Sequence, residues 1–408
     1  AAQRTSKAEK EEPRGTFVLR GFSLVESRGS LFSDAQAVSA QISKRGNSLK
    51  TKMAAVLLAS VALAGCDSIM NPVETVACEG EQTVCINAWF DEKFEEQLAF
   101  SPITQTALGR KTSYDKIDDY SVEAELEQLE WMRQATAQME ASFDYDALTP
   151  EAQLSYDMWK FRLAEAESSY EFREQAYVLH QMGSAQSGLP RFLLTEHAVD
   201  SESDMQAFIA RIGGIGTAMD QLLARAQANA EAGTRPPRFA YDAVIAESQN
   251  LTSGVPFDKS GESSALWDAT ERHLASLLES NTISAERADQ LREEARTALT
   301  EQFQPAYGRV IEWFTNDREN ADEEARGATT LPNGEAFYAA SLKAMTTTDL
   351  SADEIHQIGL DEVARIQEEM RTIMAQVEFD GTLQEFFEFT RTDPQFFYPN
   401  NDAGAQMY

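Results

Sequence analysis

Hydrolysis by a bound metal needs ligands that converge on one point. On a helix, two histidines at i and i+4 achieve this, with a glutamate between them as base. The chain has four histidines, His180, His197, His273 and His356, separated by 17, 76 and 83 residues. No pair has helical spacing, and no H-E-x-x-H occurs. His356, in Glu354-Ile355-His356, and His197, after Glu196, read as exposed or core-edge residues rather than ligands. A serine nucleophile is marked by G-x-S-x-G between a strand and a helix. Gly183-Ser184-Ala185-Gln186-Ser187-Gly188 does not match that pattern. Gly213-Gly214-Ile215-Gly216 mimics a phosphate loop, but no strand precedes it, so close helix packing or a kink is expected. The acidic pairs Asp118-Asp119, Glu293-Glu294 and Glu368-Glu369 read as solvated faces in so acidic a chain. Spacing therefore assigns no catalytic residue and no metal ligand.

The three cysteines say more. Met53 to Gly65 read MAAVLLASVALAG without a charge, with Lys50 and Lys52 before them and Cys66 after. A basic start, a short apolar run and small residues before the cut describe a secretory signal peptide. The run is shorter than the roughly 20 residues that cross a bilayer. Leu63-Ala64-Gly65-Cys66 resembles the lipobox of bacterial lipoproteins, in which the cysteine takes lipid and becomes the mature N-terminus. That resemblance implies lipidation at Cys66, a lipid anchor in the membrane, and a place in the bacterial cell envelope facing the periplasm. Cys78 and Cys85 remain. Outside the cytoplasm such an isolated pair reads as a disulfide, with two free thiols as the alternative. Zinc ligation by these two alone is disfavoured, because no second Cys/His pair lies nearby.

Four segments follow. Residues 1–48 fit an export signal badly and read as mistranslated upstream sequence or a disordered arm. Residues 49–65 are the signal peptide, 66–87 a polar tether, and 88–408 a helical domain. The first 65 residues carry 10 Lys+Arg and 5 Asp+Glu, which leaves 25 against 62 in the other 343, a net of −37. Such a body repels phosphate backbones and anionic headgroups, so nucleic acid is excluded as a partner. Cationic peptides or ions are compatible with it. Oligomeric state is not legible.

The domain must be built of helices. Leu126, Leu129, Met132, Ala135 and Met139 fall three or four apart. Thr149-Pro150-Glu151 reads as a helix start with a hydroxyl cap. Met205, Phe208, Ile209, Ile212, Ile215, Met219, Leu222, Leu223 and Ala226 hold one face within Asp200–Ala232, and Gly233 with Pro236-Pro237 ends it. Leu291, Ala295, Ala298 and Leu299 form another face. Ser351-Ala352-Asp353-Glu354 is a capping box, after which Ile355, Ile358, Val363, Ile366, Met370, Ile373 and Val377 are expected to mark a buried side. Loops are expected near 183–190, 233–238, 253–264, 327–334 and 379–382. The fold class is all-α, an array of long amphipathic helices.

One stretch is distinctive as text. It runs Thr330-Leu331-Pro332-Asn333-Gly334-Glu335-Ala336-Phe337-Tyr338, then Thr346-Thr347-Thr348-Asp349-Leu350, Ser351 to Val363, Asp393-Pro394 and Phe396-Phe397-Tyr398-Pro399. With Gly188-Leu189-Pro190 and Gly233-Thr234-Arg235-Pro236-Pro237, it resembles the DUF885 family of bacterial proteins, over about Trp89 to Tyr408. The resemblance implies the N-terminal part of a helical, zinc-carboxypeptidase-like fold, whose helices wall a substrate channel. It also implies peptide substrates and peptide-bond hydrolysis. The zinc motif it implies is an H-E-x-x-P-G-H-like element in a C-terminal part, and no residue up to Tyr408 matches that element. The expectation is a chain that stops before its catalytic part, is inactive as it stands, and holds zinc only if that part is present. The alternative is a non-catalytic binding or scaffold lipoprotein of the envelope.

Overall fold

A computed structural model describes residues 73–408. The signal segment and Cys66 lie outside the described residues. The described residues form an all-α protein, whose extended pairing is limited to a bridge between Val255 and Ser263.

The longest helix lies at the centre. Glu202–Glu231, here α6, starts at Ser201, whose hydroxyl accepts from the Asp204 amide, and carries Glu202 and Asp204 at its positive end. Met205, Phe208, Ile212, Ile215 and Met219 are wholly buried. It ends as its sequence predicts. Gly233 (φ +97°) takes the left-handed position, its amide bonds Ala230 O, and the Thr234 amide reaches back to Asn229 O.

Before α6 come α1 (Gln82–Ala99), α2 (Pro102–Ala107), α3 (Val122–Ser142), α4 (Pro150–Glu171) and α5 (Ala185–Thr195). After it come α7 (Arg238–Leu251), α8 (Ala265–Glu279), α9 (Ala285–Thr297) and α10 (Gln304–Asp317). Helices α5 to α10 share one core with α6. Helices α1, α3 and α4 close a second around Ile86, Trp89, Met139 and Tyr156, where the Trp159 ring stands edge-on to Trp89 at 5.0 Å.

Between α9 and α10 the chain widens into one π-turn, 298–303. Its wider turn lies against the glycines of α6. A Cβ on Gly216 would stand 2.9 Å from the Gln302 carbonyl oxygen, and one on Gly213 would meet the Gln302 side chain. The glycine run is thus a close backbone approach, as expected from the missing strand.

Three local readings need correction. Residues 185–190 form a helix, not a loop. Pro190 sits inside α5 and offers no N–H to Gln186 O, but the buried Tyr307 hydroxyl donates to that carbonyl at 2.6 Å. Helix α4 starts at Pro150 as expected, yet the Thr149 hydroxyl caps nothing. The first helix begins at Gln82, inside the stretch read as tether, which puts Cys85 on α1.

The last segment is α11 (Gly334–Thr346), α12 (Ala352–Gln376), α13 (Leu383–Thr392) and α14 (Asp402–Met407). The Ser351–Glu354 capping box forms, and Thr382–Glu385 makes a second. The expected buried side of α12 is not buried. Ile358, Val363, Ile366, Ile373 and Val377 are 39 to 58% exposed. Helix α12 rests on α13, with Phe379 against Phe386 and Phe389 at 5.2 Å, and its apolar stripe faces solvent.

Candidate functional site

The four histidines do not converge. His180 lies in the turn before α5, where its Nδ1 accepts from the Met182 amide at 3.0 Å. His356 is exposed on α12. His197 and His273 come near one another only across Phe208, whose ring stands 5.6 Å and 5.1 Å from theirs. Burial lowers the basicity of His273, and neighbouring Arg272 adds to this.

His197 is buried, contrary to its core-edge reading, and both ring nitrogens are engaged. Arg211 only donates, so its Nη1 at 2.9 Å makes His197 Nδ1 the acceptor. The proton then sits on Nε2 and is donated to Asp204 O at 3.0 Å. Desolvation, with Arg211 and His273 adding to it, pushes the His197 pKa down to about 4, although the bond to Asp204 O opposes the shift. The imidazole is therefore neutral at physiological pH, with no lone pair left for a metal or a proton.

Arg211 is wholly buried without a carboxylate on its guanidinium. It donates to Lys116 O at 2.9 Å, to Thr106 Oγ1 at 2.7 Å and to Pro102 O at 3.3 Å. Its face lies over the Tyr114 and Phe192 rings, at 4.7 and 5.2 Å. Carbonyl dipoles and π-faces thus solvate the charge. Burial still lowers its pKa, partly offset by Tyr114, Asp118 and Asp115. The cluster ties α2 and the 111–120 segment to α6. Sequence reasoning missed it, although one signal was present: Arg211 and Arg225 lie on the apolar face of α6, where a long cation needs partners. Arg225 finds Glu125 at 2.6 Å and Tyr120 O at 3.0 Å.

The acidic pairs divide. Asp118 is half-buried rather than solvated, accepts from Ser101 Oγ and the Ile103 amide, and is raised by desolvation. Glu293 and Glu294 border an open depression of about 520 Å³ beside Ile209, Thr297 and Gln302. Carboxylates, amides, the Thr297 hydroxyl and aliphatic groups line it, with no imidazole, thiol or cationic side chain among them. Glu368 and Glu369 are exposed on α12.

The Gly233–Pro237 segment is a clamp. Arg235 pairs with Asp317 through Nε at 2.8 Å and Nη2 at 3.2 Å, and Tyr241 donates to the same carboxylate at 2.8 Å. These donors hold Asp317 below the usual carboxylate range against the cost of burial, and burial with Asp317 pushes the Tyr241 hydroxyl far up. Cys78 and Cys85 are bonded, with Sγ atoms 2.02 Å and Cα atoms 5.7 Å apart. Among the described residues no three His, Cys, Asp or Glu side chains come together as a metal site. No helix among them is long and apolar enough to cross a membrane.

These elements define an all-α protein organised around one central helix, in which His197, Arg211 and Asp317 are engaged by other parts of the chain. The chain belongs to the DUF885 family, bacterial proteins of unknown function, which matches it over residues 102–408. Its fold is similar to the crystal structure of the "putative lipoprotein from Colwellia psychrerythraea", with a TM-score of 0.61 and 20% identity over 80% of this chain. The match takes in 57% of that protein, so this chain spans little more than half its length. No curated protein matches.

Proposed function

We propose that this chain is the non-catalytic helical portion of a lipid-anchored envelope lipoprotein related to zinc metallopeptidases, and that it hydrolyses no peptide by itself. The observation that carries the reading is that the buried His197 imidazole has both ring nitrogens engaged, by Arg211 and by Asp204 O, while Arg211 is itself held by carbonyl and hydroxyl acceptors. Among the described residues no group of side chains fits a zinc ion, and no step is assigned to one. The lipobox at Leu63–Cys66 supports the anchor, and the lipoprotein description of the structural neighbour agrees with it. In the whole protein, α1 to α10 serve as scaffold and wall. A scaffold lipoprotein without catalysis is the second reading, favoured by the two hydrophobic cores within residues 82–321, one around α6 and one around Trp89.

Fractionation of native cells tests the anchor. Wild-type protein is expected in the membrane fraction with an acylated N-terminus, and Cys66→Ser is expected to lose both; unchanged acylation would overturn it. Zinc analysis of purified 66–408, together with a peptide-cleavage assay, tests the rest. Stoichiometric zinc with cleavage would defeat both readings.

A further inference from the structure

Of the 25 large hydrophobic side chains exposed among the described residues, 15 fall in residues 334–408, less than a quarter of the described chain. Four of them, Val363, Ile366, Ile373 and Val377, line one side of α12, which half-buried Ile355 shares by helical spacing. That helix is about 37 Å long at 1.5 Å per residue. A stripe of this length exceeds what a soluble monomer usually leaves to water, and marks a contact surface.

Its occupant is constrained by charge. Helix α12 carries Asp353, Glu354, Asp361, Glu362, Glu368 and Glu369 against only Arg365 and Arg371. Two copies set face to face would bring these carboxylates together, and an anionic lipid surface would be repelled in the same way. The solved structure of similar fold has a large share of its length outside the match, so this fold occurs with further chain to pack. We infer that the apolar face of α12 is the seat of this protein's own polypeptide beyond Tyr408, which covers it with apolar side chains and meets its acidic flanks with basic ones. The inference rests on the reading of the chain as part of a longer lipoprotein.

The test uses the full-length gene product purified from its native host. A photoreactive p-benzoylphenylalanine is placed at Ile366 and, as control, at Gln357 on the opposite side of α12. Cross-linked peptides from beyond Tyr408 are expected from position 366 and not from 357. Ile366→Cys is expected to react with a maleimide about tenfold more slowly than Gln357→Cys, because a covered site reacts only on local opening. This second measurement stands if the bulky residue perturbs folding. Cross-links to a second copy or to another protein, or equal labelling rates, would overturn the inference while leaving the proposed function standing. A gene that encodes nothing beyond Tyr408 would remove both.

Discussion

Helices α6 and α12 have the same kind of sequence and opposite surroundings. Both open on a serine cap with acids in the first turn, and both carry apolar residues three and four apart. In α6 that stripe is the centre of a core fed by five other helices. In α12 the stripe faces water, and Met374 is the one buried large apolar side chain of residues 334–408. The contrast teaches that periodicity establishes a face and its direction. Whether anything covers that face is decided by partners elsewhere in sequence.

The sharpest way to break the comparison is to truncate one side chain on each stripe of the 66–408 chain. Leu222→Ala on α6 is expected to cost about 2–5 kcal/mol, because a cavity remains in a packed core. Ile366→Ala on α12 is expected to stay within about 0.5 kcal/mol. Urea midpoints of the two variants check this, and similar losses would mean that α12 is packed after all.

Next in size is the acid response of the body alone. His197 titrates near 4 when folded and near 6.5 when unfolded, so the unfolded chain binds the proton first as pH falls. The stabilisation is complete above about pH 6.5 and is lost progressively down to about pH 4, for a total of about 3 kcal/mol. Carboxylates titrate in the same window, so the measurement is the difference in unfolding free energy between wild type and His197→Gln at pH 7 and pH 4.5. A pH-independent difference would contradict the buried neutral imidazole.

The smallest contrast uses glycine. Gly216→Ala pushes a methyl against the Gln302 carbonyl oxygen and is expected to cost about 1–3 kcal/mol. Gly359→Ala on α12 meets nothing within 4 Å and is expected to stabilise by about 0.5–1 kcal/mol through helix propensity alone. Thermal midpoints of the two variants should move in opposite directions.

Much of the architecture was legible because it is local. The start and stop of α6, the buried face from Leu291 to Leu299 and the Ser351 capping box all depend on residues within a few positions of one another. Helix α5 was not legible, since Gly183, Gly188 and Pro190 are loop residues by local rules, and the donor that rescues Gln186 O lies 121 residues away. The buried cluster failed for the same reason. His197 and Arg211 are 14 residues apart, but the groups that saturate Arg211 come from Pro102, Thr106 and Lys116, more than 90 residues upstream. Asp118 reads like one more surface acid in so acidic a chain; Asp119 beside it is indeed exposed, but Asp118 turns inward and accepts from Ser101 Oγ and the Ile103 amide.

The bond from Tyr307 to Gln186 O makes two distant positions answerable to each other. With proline at 190, loss of the Tyr307 hydroxyl strands a carbonyl in the interior; with an ordinary residue at 190, the helix would supply its own donor and the phenol would become dispensable. Among relatives of this chain, an aromatic hydroxyl at the second position should therefore travel with the imino acid at the first.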